Sequence, residues 1–200
     1  VVDYSSLYPS CEMSEEISHD SKVLCIEYDM KGNEISREGD ETYNNLPNYK
    51  YVDISFPTYK YKKNQNGTVE KVKTGHKVAR YAQFPDGRRA VMPSVLEKLL
   101  KARKTTRSFI KFKTVTLLDG TVKEGVIKEK DDCILMNGDI ILKESIKSIE
   151  DTYDDFMKKI LDKRQLAYKV TANSLYGGTG AKTSPFYEMD VAASTTAVGR

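Results

Sequence analysis

Residues 169–177 read Lys-Val-Thr-Ala-Asn-Ser-Leu-Tyr-Gly, and this stretch decides where the rest of the chain belongs. Spacings of four and then three put Lys169, Asn173 and Tyr176 on one face of a helix, offering a cation, an amide and an aromatic ring to a single ligand. The same stripe also suits an ordinary exposed helix face. Upstream, the helix is predicted to begin near Asp151 and run to about Ser174, with Phe156, Ile160, Leu161 and Leu166 as its apolar residues. Asp151, Asp154 and Asp155 fall in its first turns, where acids favour the macrodipole. Gly177-Gly178-Thr179-Gly180 is the expected stop.

A second helical period opens at Pro93, which suits a first turn, and continues through Val95, Leu96, Leu99 and Leu100 to about Phe112. Its polar face carries Lys98, Lys101, Arg103, Lys104, Arg107, Lys111 and Lys113, with Arg103 and Arg107 four apart on one side. Between the two helices, residues 113–118, 122–127, 133–136 and 139–142 read as short strands. Asp119-Gly120 and Asn137-Gly138 supply hairpin turns, so residues 113–150 form a small β-meander or barrel between antiparallel helices. Two cationic helices joined this way make a clamp for a triphosphate. Phosphoryl transfer relies on that kind of positioning and charge neutralisation.

Nearer the start, residues 1–3 read as a short strand that ends in a turn through Ser5-Ser6-Leu7-Tyr8-Pro9-Ser10. Asp3 at a strand end suits Mg²⁺, which needs only one or two protein carboxylates when phosphates supply other ligands. The backbone N–H groups that follow can bind phosphate oxygens, with Tyr8 as a wall beside the sugar. Further strands are predicted over 23–28, 49–56 and 78–84. Residues 60–75 read as an exposed hairpin turning at Asn66-Gly67.

The 200 residues carry a net charge of +3, which conceals an uneven distribution. Residues 1–60 sum to −7, 61–113 to +12, 114–150 to −3 and 151–200 to +1. The basic middle points to a polyanionic partner. No run of about 18 apolar residues is present, so no membrane span is expected, and the first residues lack the features of a signal peptide. Cys11, Cys25 and Cys133 form no CxxC pair and fit a reducing compartment. With only His19 and His76, a His-rich metal cluster is excluded, and His19 is expected at the surface.

Residues 3–10, DYSSLYPS, resemble motif A of the family B DNA polymerases, and residues 169–177, KVTANSLYG, resemble that family's motif B. The order of the two is the family's, and residues 77–107 are similar to its approach to the fingers. The resemblance covers about residues 1–30, 75–112 and 151–200. It implies an α+β fold: palm strands and helices of a right-hand polymerase, plus an antiparallel two-helix fingers hairpin with a small β insert. The implied divisions are a palm segment over 1–92, fingers helices over 93–176 with residues 113–150 at the tip, and a return to the palm over 177–200.

The implied activity is addition of deoxynucleotides to a primer 3′-OH by two-metal nucleotidyl transfer, with primer–template DNA and dNTPs as partners. Asp3 would be one of two aspartates holding the Mg²⁺ pair. Ser6 and Leu7 would present backbone N–H groups to the triphosphate, and Tyr8 would be the steric gate against a 2′-OH. Arg103 and Lys169 would contact phosphates, Arg107 stands where the family also places Lys, and Asn173 would assist. Tyr176 would pack at the nascent base pair, and Gly177 would let the backbone approach the template.

Nothing resembling the family's Asp-Thr-Asp motif C occurs, so the sequence is expected to be an internal fragment with half a metal site, inactive alone. A processivity factor would be met through other parts of the parent. Residues 113–150 and the wording of residues 181–200 are most similar to polymerases of large double-stranded DNA viruses, implying the nucleus or a viral factory. The net −3 of the insert argues for a spacer or docking role there. The alternative is a non-catalytic nucleic-acid-binding module whose basic stretch tracks a phosphate backbone.

Overall fold

The computed structural model describes residues 6–64, 66 and 68–200; Asp3 and the predicted strand over 1–3 lie outside them. The chain divides into two compact units. One joins the described residues up to Glu97 with Ala172–Arg200, and the other is Lys98–Thr171.

The first unit is built on an antiparallel sheet of β1 (Lys22–Asp29), β2 (Glu34–Gly39), β3 (Lys50–Lys63) and β4 (Val69–Gln83), in the order β2-β1-β4-β3. Ile54 and Phe56 of β3, Ala79 and Tyr81 of β4 and Cys25 of β1 form a core with Ile17, Met92 and Val191. Val191 belongs to α4 (Met189–Val198), so the apolar faces of this helix and the sheet close on each other. The strands predicted over 23–28, 49–56 and 78–84 all form, and β3 and β4 continue into the expected hairpin. β2 escaped prediction because all six of its residues are exposed and show no alternation; pairing with β1 alone holds it.

Of the segment predicted as a turn, Leu7 to Ser10 instead form the start of α1 (Leu7–Ser14), and Ser5 lies outside the described residues. Ser6 sits before it in the left-handed region (φ 63°, ψ 46°), and Ser10 N–H donates to its carbonyl over 3.0 Å. Burial of Pro9, Cys11 and Glu12 holds α1 in a sequence with a weak helical period.

The helix predicted from Pro93 begins slightly earlier, as α2 (Val91–Phe109). Its first N–H groups, orphaned in any helix, are met by the loop after α1. Glu16 accepts from Ala90 N (2.8 Å), Asp20 from Val91 N (3.1 Å) and Ser18 Oγ from Met92 N (3.3 Å).

In the second unit, β5 (Phe112–Leu117), β6 (Val122–Glu129), β7 (Cys133–Met136), β8 (Asp139–Leu142) and β9 (Ile146–Asp151) form one antiparallel sheet in the order β8-β7-β6-β5-β9. Val115, Ile134, Met136 and Ile141 are its core. The meander is as predicted, with one more strand. β9 returns to pair with β5 and becomes the edge strand on that side of the sheet. Asn137 and Gly138 both adopt positive φ (53° and 97°), the geometry of a two-residue type I′ hairpin.

β9 takes up the residues where the second long helix was expected to start. That helix, α3 (Asp155–Gly180), begins four residues later, with Asp154 accepting from Met157 N (2.7 Å). Asp151 instead pairs with Lys113 (2.6 Å) and Lys158 (2.8 Å), which hold its carboxyl down at about 2. The predicted apolar stripe divides: Leu161 is 7% exposed, whereas Phe156 is 70% exposed and Ile160 and Leu166 are also exposed. At about 100° per residue, Phe156 and Ile160 share one exposed side of the helix, while Leu161 and Leu166 each point elsewhere.

α3 runs past Ser174 and ends within the glycine-rich stretch, at Gly180, so the expected stop lies a few residues later than predicted. Thr179 is buried, its hydroxyl donates to Tyr176 O (2.7 Å), and its carbonyl accepts from Glu188 N (2.9 Å). These contacts offset a helix cost of about 1 kcal/mol per glycine.

Candidate nucleotide-binding site

Two of the residues singled out in the sequence, Tyr8 on α1 and Tyr176 on α3, lie 168 positions apart and meet face to face. Their ring centroids are 4.4 Å apart and their planes 16° from parallel. The Tyr176 hydroxyl shares a hydrogen bond of 2.9 Å with Thr196 Oγ1 on α4, and Thr196 Oγ1 also donates to Ala192 O (2.9 Å). On the other side, Gly199 lies against Tyr8: a Cβ at this position would come within 3.1 Å of the ring. Tyr8 is still 37% exposed, so its ring is held from behind and open in front. Leu7 beside it is exposed to a similar degree.

The helix that carries Tyr8 also carries a buried acid. Glu12, one turn after Tyr8 on α1, is fully buried; its Oε1 accepts from Thr195 Oγ1 (3.2 Å) and its Oε2 has no partner. Burial pushes this carboxyl up to about 7, only partly opposed by the Thr195 hydrogen bond.

The same helix, α4, is locked to the sheet by a charged cluster. Buried Asp190 accepts from Lys77 Nζ (3.2 Å) and Lys22 Nζ (3.4 Å), while Lys22 also pairs with Glu188 (3.0 Å). Burial works against charge on both lysines, but their carboxylate partners outweigh it and raise them. Cys25 beside this cluster is pushed up to about 12, chiefly by burial, and is an inert thiol. Tyr81 completes the lock, donating to Ser194 Oγ (3.0 Å). The fixed position of α4 is what gives Thr196 and Gly199 their hold on the two tyrosines.

Asn173 and Gly177 are exposed on α3, and Gly177 has open space where a side chain would stand. In the second unit, Arg103 of α2 donates to Gln165 Oε1 of α3 (3.3 Å), while Arg107 and Lys169 stand exposed. Among the described residues, neither Arg107 nor Lys169 pairs with a carboxylate, and no group of three or more His, Cys, Asp or Glu side chains is placed to hold a metal ion. A site completed by phosphate oxygens needs only one or two protein carboxylates, and the residue read for that task, Asp3, lies outside the described residues.

Sequence reasoning missed Thr196, Gly199 and Glu12. A faint signal was present in the run Thr195-Thr196-Ala197-Val198-Gly199, whose hydroxyls and glycine interrupt an otherwise apolar helix.

A sequence model of DNA polymerase family B matches residues 140–200. The DNA polymerase of Pyramimonas orientalis virus is 46% identical over 206 aligned positions, which take in all of this chain and 15% of that protein. The DNA polymerase of Phaeocystis pouchetii virus is 44% identical, again over the whole chain and 16% of its own length. The chain belongs to DNA polymerase family B. As a family B polymerase segment it spans about 15% of the length of these viral relatives, and both alignments run through residues 113–150. The catalytic subunit of DNA polymerase delta from Drosophila melanogaster is 27% identical across the chain.

Proposed function

We propose that this chain is the palm–fingers part of a template-dependent DNA polymerase that adds deoxynucleotides from dNTPs to a primer 3′-OH. The observation that carries the reading is the Tyr8–Tyr176 stack, in which residues of the two polymerase-like motifs pack as one surface. Tyr8, braced by Tyr176 and Gly199, would serve as a rigid wall under a deoxyribose, where a 2′-OH would collide with its ring. Tyr176 faces the nascent base pair, and Gly177, with no side chain, leaves room for the template backbone.

Leu7 and its neighbours present N–H groups at the start of α1, where an oligophosphate is favoured by the helix end. Arg103, Arg107 and Lys169 neutralise charge that builds on the phosphates during transfer, and Asn173 assists as a hydrogen-bond donor. Asp3 is the metal carboxylate contributed by this chain. A pair of divalent ions, Mg²⁺ by the preference of carboxylate and phosphate oxygens, would activate the primer oxygen and stabilise the leaving pyrophosphate. The second carboxylate motif is absent from these 200 residues, so the segment alone does not turn over. The viral relatives support a role in viral DNA replication, in the nucleus or a viral factory. No helix among the described residues is long and apolar enough to cross a membrane.

The test is primer extension by the full-length polymerase. Asp3→Ala is expected to abolish extension while primer–template binding, followed by fluorescence anisotropy, stays within about twofold because metal ligation contributes little to gripping DNA. Extension at the wild-type rate by Asp3→Ala would overturn the assignment.

A further inference from the structure

β1 pairs with β4 only as far as the Asp29–Gly75 position, whereas β3 and β4 stay paired out to Lys63 and Val69. Residues 59–63 and 69–73 therefore form a two-stranded ribbon with no third strand beside it. Asn64 N–H donates to Thr68 O (2.8 Å) across its turn.

The register settles which side chains share a face. Tyr59 stands opposite Lys73, Tyr61 opposite Lys71, and Lys63 opposite Val69. Directly opposed residues lie on the same face and alternate residues along a strand return to it. One face therefore carries Tyr59, Tyr61, Lys63, Val69, Lys71 and Lys73, all exposed, with no acid among them. The ribbon's single acid, Glu70, stands opposite Lys62 on the other face, together with Lys60 and Val72.

Nothing else in the fold accounts for this face. Among the described residues, Lys63, Lys71 and Lys73 make no ion pair, and Tyr61 is 70% exposed with no ring partner. Lys71 Nζ lies 4.0 Å from the centroid of the Tyr59 ring, so cation and aromatic already alternate at contact distance. A ribbon with five lysines and one glutamate over residues 59–73 repels itself unless an anion is near. Phosphates supply that anion at regular intervals. Exposed aromatic rings between cations add a platform for unstacked bases, which a duplex keeps hidden.

We propose that the Tyr59–Tyr61–Lys63–Lys71–Lys73 face of the β3–β4 ribbon binds single-stranded nucleic acid, with bases stacking on Tyr61 and Tyr59 and phosphates meeting the three lysines. The inference rests on the polymerase reading only for its setting, in which a single-stranded template is close by. It does not use Asp3, Tyr8 or any phosphate-binding residue of that reading.

The experiment measures binding of the full-length polymerase to a labelled oligo(dT) and to a blunt duplex across a range of salt. Replacing Lys63, Lys71 and Lys73 together by Gln is expected to reduce the slope of log affinity against log salt on oligo(dT) by about 2, at about 0.7 per phosphate contact. Tyr61→Ala is expected to weaken oligo(dT) binding by about fivefold or more and leave duplex binding unchanged. Lys60→Gln with Lys62→Gln, on the opposite face, is expected to change the slope by much less than the triple variant.

An unchanged slope and affinity in the triple variant would overturn the proposal and leave an acidic protein as the partner to seek. Equal effects from the two faces, or a loss confined to duplex, would overturn it as well. Extension at low salt on saturating primer–template is expected to be unaffected by the ribbon variants. A wild-type enzyme that failed to extend would sink the polymerase reading, while the ribbon would still be judged on its binding curves.

Discussion

Tyr8 and Tyr176 meet ring to ring and are tied to α4, whereas Arg107 and Lys169 stand exposed on their helices with no carboxylate partner among the described residues. On the function proposed above, the difference follows from what each group has to measure. Excluding a hydroxyl by its size is a contact effect, lost if the wall moves by a fraction of an ångström, so the wall must be packed from behind. Neutralising a phosphate is a Coulomb effect that falls slowly with distance, so a solvated, adjustable cation can do it. On that reading, preorganisation belongs in the aromatic half, where position is read, and the exposed cations need less of it.

The largest expected effect tests the cationic half. In the full-length polymerase, Lys169→Ala is expected to lower kcat by about 10²–10³-fold, the cost of losing one group that neutralises charge in the transition state. Because Lys169 is exposed, the melting temperature should move little, corresponding to about 0.5 kcal/mol or less. A clear loss of thermal stability in this variant would break the contrast between the two halves.

Much of this anatomy was legible beforehand, for physical reasons that differ by element. Asn137-Gly138 could be placed because a two-residue hairpin demands positive φ, and both residues have it. Leu96 could be placed in the core because a 3.6-residue period marks one helix face. β2 was invisible because its exposed residues carry no period, and its stability comes from a neighbour remote from any local pattern. The end of α3 falls a few residues later than its local sequence suggests, where Glu188 N–H donates to Thr179 O in the last turn. Tyr8 and Tyr176 stand in motif-like stretches, but the residues packed against them carry no such signal. Thr196 and Glu12 matter only through partners 20 and 183 positions away.

An intermediate effect concerns the foundation of the aromatic half. Glu12 has its carboxyl raised from 4.5 to about 7 by burial, so the native state keeps its proton where the unfolded chain has lost it. Stability tied to that proton is fully present below about pH 4.5 and is lost as pH rises through about 7, after which it stays flat. Glu12→Gln cannot ionise and should flatten this part of the profile. It is expected to gain roughly 3 kcal/mol relative to wild type between pH 4.5 and 8, from 1.36 kcal/mol per pH unit. Parallel thermal-melting profiles for the two proteins over that range would show that Glu12 is ionised at little cost, and that α1 does not rest on a neutral acid.

The smallest effect sharpens the comparison most, because it asks whether the wall is held in place or merely present. Thr196→Val keeps the shape but removes the hydroxyl that meets Tyr176, a loss of about 1 kcal/mol for one neutral hydrogen bond. If that bond positions the stack, ribonucleotide incorporation should rise by about fivefold through this energy alone. Tyr8→Val, which removes the wall itself, should raise it far more. Thr196→Ser restores the hydroxyl and should restore discrimination, while kcat/KM for the matched dNTP stays near wild type in both Thr196 variants. Equal discrimination in wild type and Thr196→Val, with Tyr8→Val still relaxed, would mean that Tyr8 acts without its bracing. The aromatic half would then need no more preorganisation than the cationic one.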